Sequence, residues 1–141
     1  MSMTKRALGA AALAFALSFA SVPARAGAND PLFINLISDE GHRATMAIGF
    51  GSNMLKLGHP LTIFLNDRAV AIASKANADK FAAQQKALAD LVAAGAVVLV
   101  CPMCSKHYGV AEADLLPGLK FGSPELTGGQ LFKDATKTMT W

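Results

Sequence analysis

Short apolar runs and helically spaced apolar residues alternate along most of the chain. Five runs predict strands, at 31–38, 60–65, 96–100, 119–121 and 136–141. Apolar residues at helical spacing predict two long helices, over 42–57 and 77–94. Ser123-Pro124 is typical of a helix start, and that helix runs to about Asp134. Strands that alternate with helices predict one α/β layered domain with a mainly parallel sheet of about five strands.

Two details of this pattern predict how the first helix packs and which apolar segments need covering. The inward stripe of the first helix is predicted to consist of Ala47, Phe50, Met54 and Leu57. Gly49 and Gly51 interrupt this helix and are expected to let it pack closely on the sheet. The apolar segment 69–74 fits neither a helix nor a strand. Because this segment and the wholly apolar first strand need covering, we expect a second subunit to bury part of them.

The first 26 residues have the pattern of a cleaved signal peptide. Lys5 and Arg6 precede a small-apolar run over 8–20, and Ala-Arg-Ala at 24–26 fits a cleavage site with small residues at its ends. The apolar run is too short to span a bilayer. We therefore expect export to the periplasm and a mature chain that forms a single domain over 27–141. An uncleaved membrane anchor is the alternative.

Removal of this segment changes the charge balance. The 141-residue chain has a formal net charge of +3, but the first 26 positions hold three of its 13 basic residues and none of its 10 acidic ones. The mature chain is therefore close to neutral, and neither nucleic acid nor a membrane is an expected partner. The chain also contains no phosphate loop, dinucleotide-binding glycine pattern or serine nucleophile elbow.

Both cysteines lie where the third predicted strand ends. Cys101 is followed by Pro102, which is tolerated in the first turn of a helix, and Cys104 lies about one turn further on. This pattern predicts a strand, a sharp turn and a short helix, whose N-terminus favours a thiolate. Lys106 and His107 are expected to add positive charge and to bind substrate. The alternative is that the two cysteines fill the core or form a structural disulfide.

Two further loops follow predicted strands, and ligands of such sheets bind beyond the carboxyl ends of the strands. The first loop holds Asp39, His42 and Arg43, and the second is 66–68. If the first and third strands are neighbours, the first loop faces the cysteines. Its histidine and arginine would then stabilise a thiolate, and all three residues are candidates for substrate binding. Alternatively, Asp39 caps a helix and Arg43 is a solvated surface charge.

The chain resembles the DsrE/DsrF-like family, which includes the TusD-type sulfur-relay subunits. The resemblance rests on 38–41 (Ser-Asp-Glu-Gly), 58–64 (Gly-His-Pro-Leu-Thr-Ile-Phe), 98–101 (Val-Leu-Val-Cys) followed by Gly109-Val110, 115–118 (Leu-Leu-Pro-Gly) and the closing strand 138–141. It implies a three-layer α/β/α sandwich that assembles as a trimer or hexamer. It also implies that the cysteine ending the third strand, Cys101, carries a persulfide. Two features depart from the relay pattern: the predicted export and the presence of Cys104.

These observations favour sulfur trafficking, with the protein as a candidate sulfurtransferase that needs no cofactor. Its partners would be sulfur donor and acceptor proteins or small thiols. Cys101 would hold the sulfur, and Cys104 would act as a resolving thiol. One alternative is a soft-metal module that binds Cu(I) or Zn through Cys101, Cys104 and His107. The other is a thiol–disulfide redox protein.

Overall fold

The structure, a computed structural model, describes residues 27–141, so the predicted signal peptide and its cleavage site lie outside the described residues. The strands are β1 (Leu32–Leu36), β2 (Leu61–Leu65), β3 (Val97–Val100), β4 (Lys120–Phe121) and β5 (Lys137–Thr140). The α-helices are α1 (Gly41–Lys56), α2 (Ala78–Ala93), α3 (Pro102–Tyr108) and α4 (Pro124–Leu131). Three 3₁₀ segments complete the described part, at Asp67–Ala73, Lys75–Asn77 and Glu112–Asp114.

The five strands form one parallel sheet in the order β4-β3-β2-β1-β5. Helix α1 packs on one face, where Gly51 lies against Leu61. Helix α4 lies on the other face, where Gln130 accepts a 3.2 Å hydrogen bond from Thr62. Leu61 and Thr62 are consecutive in β2, and consecutive side chains of a strand point to opposite faces. The predicted three-layer sandwich with a parallel sheet is therefore confirmed.

The packing of α1 confirms part of the stripe expected from the sequence and corrects the rest. Ala47 is buried, and Phe50 and Met54 are partly buried against the core, whereas Leu57 is not. The buried residues of α1 are Ala44, Ala47, Ile48 and Gly51. A Cβ atom at Gly51 would lie 3.0 Å from Leu61 and 3.1 Å from Ile34, so a glycine lets the helix approach the sheet. No atom lies within 4 Å of such a Cβ at Gly49. Leu57 is 68% exposed because it follows the last helical residue and lies beyond the packed face.

The apolar segment 69–74 does not need a partner subunit to cover it. Residues of the 3₁₀ segment Asp67–Ala73 are buried within the chain itself: Ala69, Val70, Ile72 and Ala73. Buried Gln85 on α2 donates hydrogen bonds to the carbonyls of Ile72 (3.1 Å) and Ser74 (2.8 Å). The Ser74 carbonyl also accepts the Asn77 N–H at 3.0 Å, so Gln85 adds a side-chain bond to a turn that the backbone already closes. Strand β1 is likewise covered by this chain, with four of its five residues buried.

Among the helices in the described part of the chain, none is long and apolar enough to span a membrane.

Candidate functional site

The two cysteines lie where the connections between strands change from one face of the sheet to the other. After β3 the chain continues into α3, which packs on the 3₁₀ segment Asp67–Ala73 on the α1/α2 side. After β4 it continues into α4 on the opposite side. Neighbouring parallel strands whose connections leave toward opposite faces open a crevice at their carboxyl ends, and this crevice is the usual ligand site. Cys101 directly follows β3 at this point.

Cys101 is held by the backbone on both sides of its turn. Its N–H donates a 2.9 Å hydrogen bond to the Leu65 carbonyl, which extends the ladder between β2 and β3. Its side chain caps α3, because the Cys104 N–H donates to the Cys101 sulfur at 3.4 Å. Pro102 is the first helical residue, and Gly109 ends the helix with a φ of 72°. The predicted arrangement of a strand, a sharp turn and a short helix is confirmed.

Cys104 has the opposite hydrogen-bonding role. Its S–H donates to the side-chain oxygen of Asn66 at 3.0 Å, and that oxygen also accepts the Asp67 N–H at 2.8 Å. Burial raises the pKa of the Cys104 thiol, and the neighbouring Cys101 sulfur raises it further, while the Asp67 N–H lowers it in part. The raised pKa favours the protonated thiol at Cys104.

Asp67 and Tyr108 connect the two elements that carry these groups. The Tyr108 hydroxyl donates a 2.6 Å hydrogen bond to the Asp67 carboxylate, which raises the pKa of Tyr108. Asp67 has a φ of 47°, a left-handed conformation that aspartate tolerates better than most residues. The bond ties the end of α3 to the start of the 3₁₀ segment. Sequence reasoning identified the loop 66–68 but gave Asn66 and Asp67 no role.

The strand order separates the first loop from the cysteines. Strand β2 lies between β1 and β3, so the condition that would make Asp39, His42 and Arg43 face Cys101 is not met. Asp39 instead forms ion pairs with Arg68 (3.2 Å) and Lys80 (2.9 Å).

Helix α1 begins at the first loop, and its cap differs from the expectation. Asp39 does not cap this helix. The cap is Glu40, whose carboxylate accepts the N–H groups of His42 (3.0 Å) and Arg43 (2.7 Å). The side chains of His42 and Arg43 are exposed on the first turn.

Lys106 and His107 lie in the last turn of α3, at the end of the helix opposite to Cys101. Both are exposed, and the His107 ring packs edge-on against Tyr108 at a centroid distance of 4.7 Å. Among residues 27–141, no three His, Cys, Asp or Glu side chains are placed to hold a metal ion. Cys101, Cys104 and His107 thus do not form the predicted ligand set in this conformation. Both cysteines are free thiols.

The ion pairs of Asp39 predict a pH-dependent contribution to stability. Hydrogen bonding to Lys80 and the charges of Lys80 and Arg68 lower the pKa of Asp39 in the folded protein. Its stabilisation is therefore present above the unfolded-state pKa of about 3.9 and is lost as the pH falls through the lower folded-state value. We expect Asp39→Asn to lower the free energy of unfolding by about 1 kcal/mol at neutral pH, since both cations are largely exposed.

Urea denaturation of the parent and of Asp39→Asn over a pH series measures this effect, and the difference should disappear in acid. Asp90→Asn is the matched control, because it breaks an exposed pair with Lys86 and should change stability by only about 0.5 kcal/mol or less. A difference between the parent and Asp39→Asn that stays constant down to the lowest pH would contradict the assignment.

The fold and the site together define an α/β sandwich that presents a thiol pair at the carboxyl ends of its parallel strands. The sequence profile of the DsrE/DsrF-like family matches residues 32–138, and the chain belongs to this family. Membership is consistent with a role in sulfur relay. No curated protein matches the chain significantly.

Solved structures similar to this one include the following two. The ychN protein from E. coli superposes with a TM-score of 0.57 at 20% identity, over 79% of this chain and 99% of that one. MTH1491, a protein of unknown function from Methanobacterium thermoautotrophicum, superposes with a TM-score of 0.64 at 14% identity, over 80% of this chain and all of that one. At these identities the likeness shows the shared fold.

Proposed function

We propose that this protein is a sulfur carrier that holds a persulfide on Cys101. The observation that carries the proposal is the opposite hydrogen bonding of the two sulfurs. Cys101 accepts a backbone N–H, whereas Cys104 donates its own S–H to Asn66. An N–H donor favours an anionic sulfur, as either a thiolate or a persulfide. Family membership supports the same role for a cysteine that ends the third strand.

Sulfur transfer through Cys101 takes two steps. The Cys101 thiolate attacks the outer sulfur of a donor persulfide, so a bond forms between Cys101 Sγ and that sulfur. The donor S–S bond breaks, and the donor leaves as a thiolate. An acceptor thiolate then attacks the same outer sulfur, and Cys101 leaves as a thiolate. The Cys104 N–H is placed to donate to the Cys101 sulfur each time it becomes anionic. Neither step needs an oxidant or a reductant.

Anaerobic mass spectrometry tests the proposal. The protein is reduced, exposed to a low-molecular-weight persulfide, alkylated and digested. We expect one additional sulfur atom on the peptide that contains Cys101, and its transfer to an added thiol. Copper and zinc are measured in the same preparation, purified under reducing conditions. Failure to load sulfur, together with a stoichiometric bound metal, would favour the metal-binding alternative over this proposal.

We propose that the protein works after export to the periplasm. The support is sequence pattern alone: two basic residues, a small-apolar run and Ala-Arg-Ala at 24–26. The expected result is that protein isolated from cells begins at Gly27 and fractionates with the periplasm. N-terminal sequencing that reads from Met1, or recovery with the cytoplasm, would contradict export.

We propose a homo-oligomer, a trimer or a hexamer, on the basis of family membership. The partners in transfer are a sulfur donor and a sulfur acceptor, either proteins or small thiols. Light scattering of the protein without residues 1–26 at micromolar concentration tests the assembly. We expect the mass of three or six chains, and a monomer would count against the proposal.

A further inference from the structure

Asn66 lies beside the thiol pair and has no role in the transfer steps above. We propose that Asn66 is a positioning residue for Cys104: it holds the Cys104 thiol in a hydrogen bond and so delays its attack on a persulfide at Cys101. This inference rests on the proposed persulfide function for its biological meaning. Asn66 thereby sets how long the carrier keeps its sulfur before an internal thiol releases it.

The position of Asn66 is fixed independently of the cysteines. It directly follows β2, the neighbour of β3, and its N–H donates a 2.8 Å hydrogen bond to the Leu36 carbonyl. Its side-chain oxygen is oriented by the Asp67 N–H at 2.8 Å. The Cys104 S–H donates to this oxygen at 3.0 Å. A thiol whose S–H is engaged with a fixed acceptor must break that bond before it gives up its proton and attacks Cys101.

The delayed reaction forms a disulfide between the two cysteines and releases hydrogen sulfide. The Cys104 sulfur attacks Cys101 Sγ, and the bond between Cys101 Sγ and the outer sulfur breaks. The outer sulfur leaves as hydrosulfide and takes up the Cys104 proton to give hydrogen sulfide. The two cysteines are left as a disulfide, which an external dithiol must reduce before the next cycle. Cys101 and Cys104 lie at i and i+3 across a helix start and are close enough for their polar atoms to interact.

A purely structural role for Asn66 is the competing explanation, since its side chain caps the 3₁₀ segment through the Asp67 N–H. Two variants separate the roles. Asn66→Ser keeps an effective cap, but its side chain is shorter and loses the acceptor for Cys104. Asn66→Asp keeps the length, the cap and an acceptor for the Cys104 S–H. Thermal unfolding of both variants reports whether the fold is retained.

The readout is the lifetime of the Cys101 persulfide, followed by mass spectrometry without external thiol. We expect Asn66→Ser to shorten this lifetime about two- to fivefold, the lower part of the range that one neutral hydrogen bond provides, because a thiol is a weak donor. Hydrogen sulfide and the Cys101–Cys104 disulfide should appear at the matching rate. Asn66→Asp should keep the parent lifetime or lengthen it. An unchanged lifetime in Asn66→Ser would overturn the proposal.

If Asn66 acts by positioning Cys104, the effect of Asn66→Ser on the persulfide lifetime must depend on the Cys104 thiol. In a Cys104→Ser background, Asn66→Ser should leave the persulfide lifetime unchanged, which a general loosening of the structure would not do. Equal shortening in both backgrounds would overturn the positioning role.

A second measurement does not depend on persulfide loading. Cys101 is converted to a mixed disulfide with glutathione, and the release of glutathione by Cys104 is timed. Asn66→Ser should release it about two- to fivefold faster than the parent. If the parent loads no sulfur yet this difference appears, the proposed function fails and the positioning role stands. If the difference is absent, the positioning role fails.

Discussion

Cys101→Ser is expected to abolish persulfide formation. A serine hydroxyl at this position cannot hold a transferable sulfur. The fold should survive the change, because the Cys101 side chain caps α3 and serine is among the preferred capping residues. Loss of loading at an unchanged melting temperature would therefore report chemistry rather than unfolding. The measurement is the mass of the cysteine-containing peptide after exposure to a low-molecular-weight persulfide.

Cys104→Ser is the matched variant and should behave in the opposite way. It should load sulfur as the parent does, and its hydroxyl can still donate to Asn66. An internal thiol competes at an effective concentration on the order of millimolar or above. With micromolar external thiol, the persulfide should therefore last about tenfold longer or more in this variant. Cys101→Ser protein that loads sulfur as well as the parent does would show that the assignment is wrong.

The same loss in both cysteine variants would favour the metal-binding alternative. If both single variants load sulfur poorly and both also lose bound copper or zinc, a shared metal site explains the result better than a carrier with unequal thiols. The hydrogen bonding of the two cysteines argues for unequal roles, since one sulfur accepts and the other donates. Unequal effects of the two variants are therefore the expected pattern.

Local features of the fold were predictable because the residues that cause them are neighbours in sequence. The turn at Cys101 follows from an apolar strand, a proline at the first helical position and a glycine that ends the helix. The start of α4 follows from Ser123, whose hydroxyl oxygen accepts the Leu126 N–H at 3.1 Å. Each of these signals depends on a few adjacent residues, so no knowledge of the tertiary structure was needed.

Strand order was not predictable in this way, and the interpretation of the first loop failed for that reason. Asp39 is equally consistent with a site residue or a structural ion pair until β2 is known to separate β1 from β3. Cys104 and Asn66 are 38 positions apart, and no periodic pattern connects them. The available signal was weaker: two loops that follow adjacent parallel strands meet at the same sheet edge. That signal identifies the loop but does not say which side chain reaches the thiol.

The burial of the 3₁₀ segment Asp67–Ala73 is the other feature that the sequence did not reveal, and it leads to the largest expected effect on stability. Ile72 is fully buried within this chain. We expect Ile72→Ala to lower the free energy of unfolding by about 2–5 kcal/mol, through lost apolar burial and the cavity left behind. This is a large share of the roughly 5–15 kcal/mol that stabilises a typical domain. Ile72→Val should cost about 0.5–1.5 kcal/mol and serves as a graded control.

Protein concentration distinguishes the two ways of covering this segment. If a partner subunit buried Ile72, the loss would vary with concentration, because assembly contributes to the stability of an oligomer by mass action. Burial within one chain predicts the same loss at every concentration. Urea denaturation at two protein concentrations, tenfold or so apart, measures the difference between parent and variant in each case. A loss within about 0.5 kcal/mol, typical of a surface substitution, would contradict burial of Ile72 in the core.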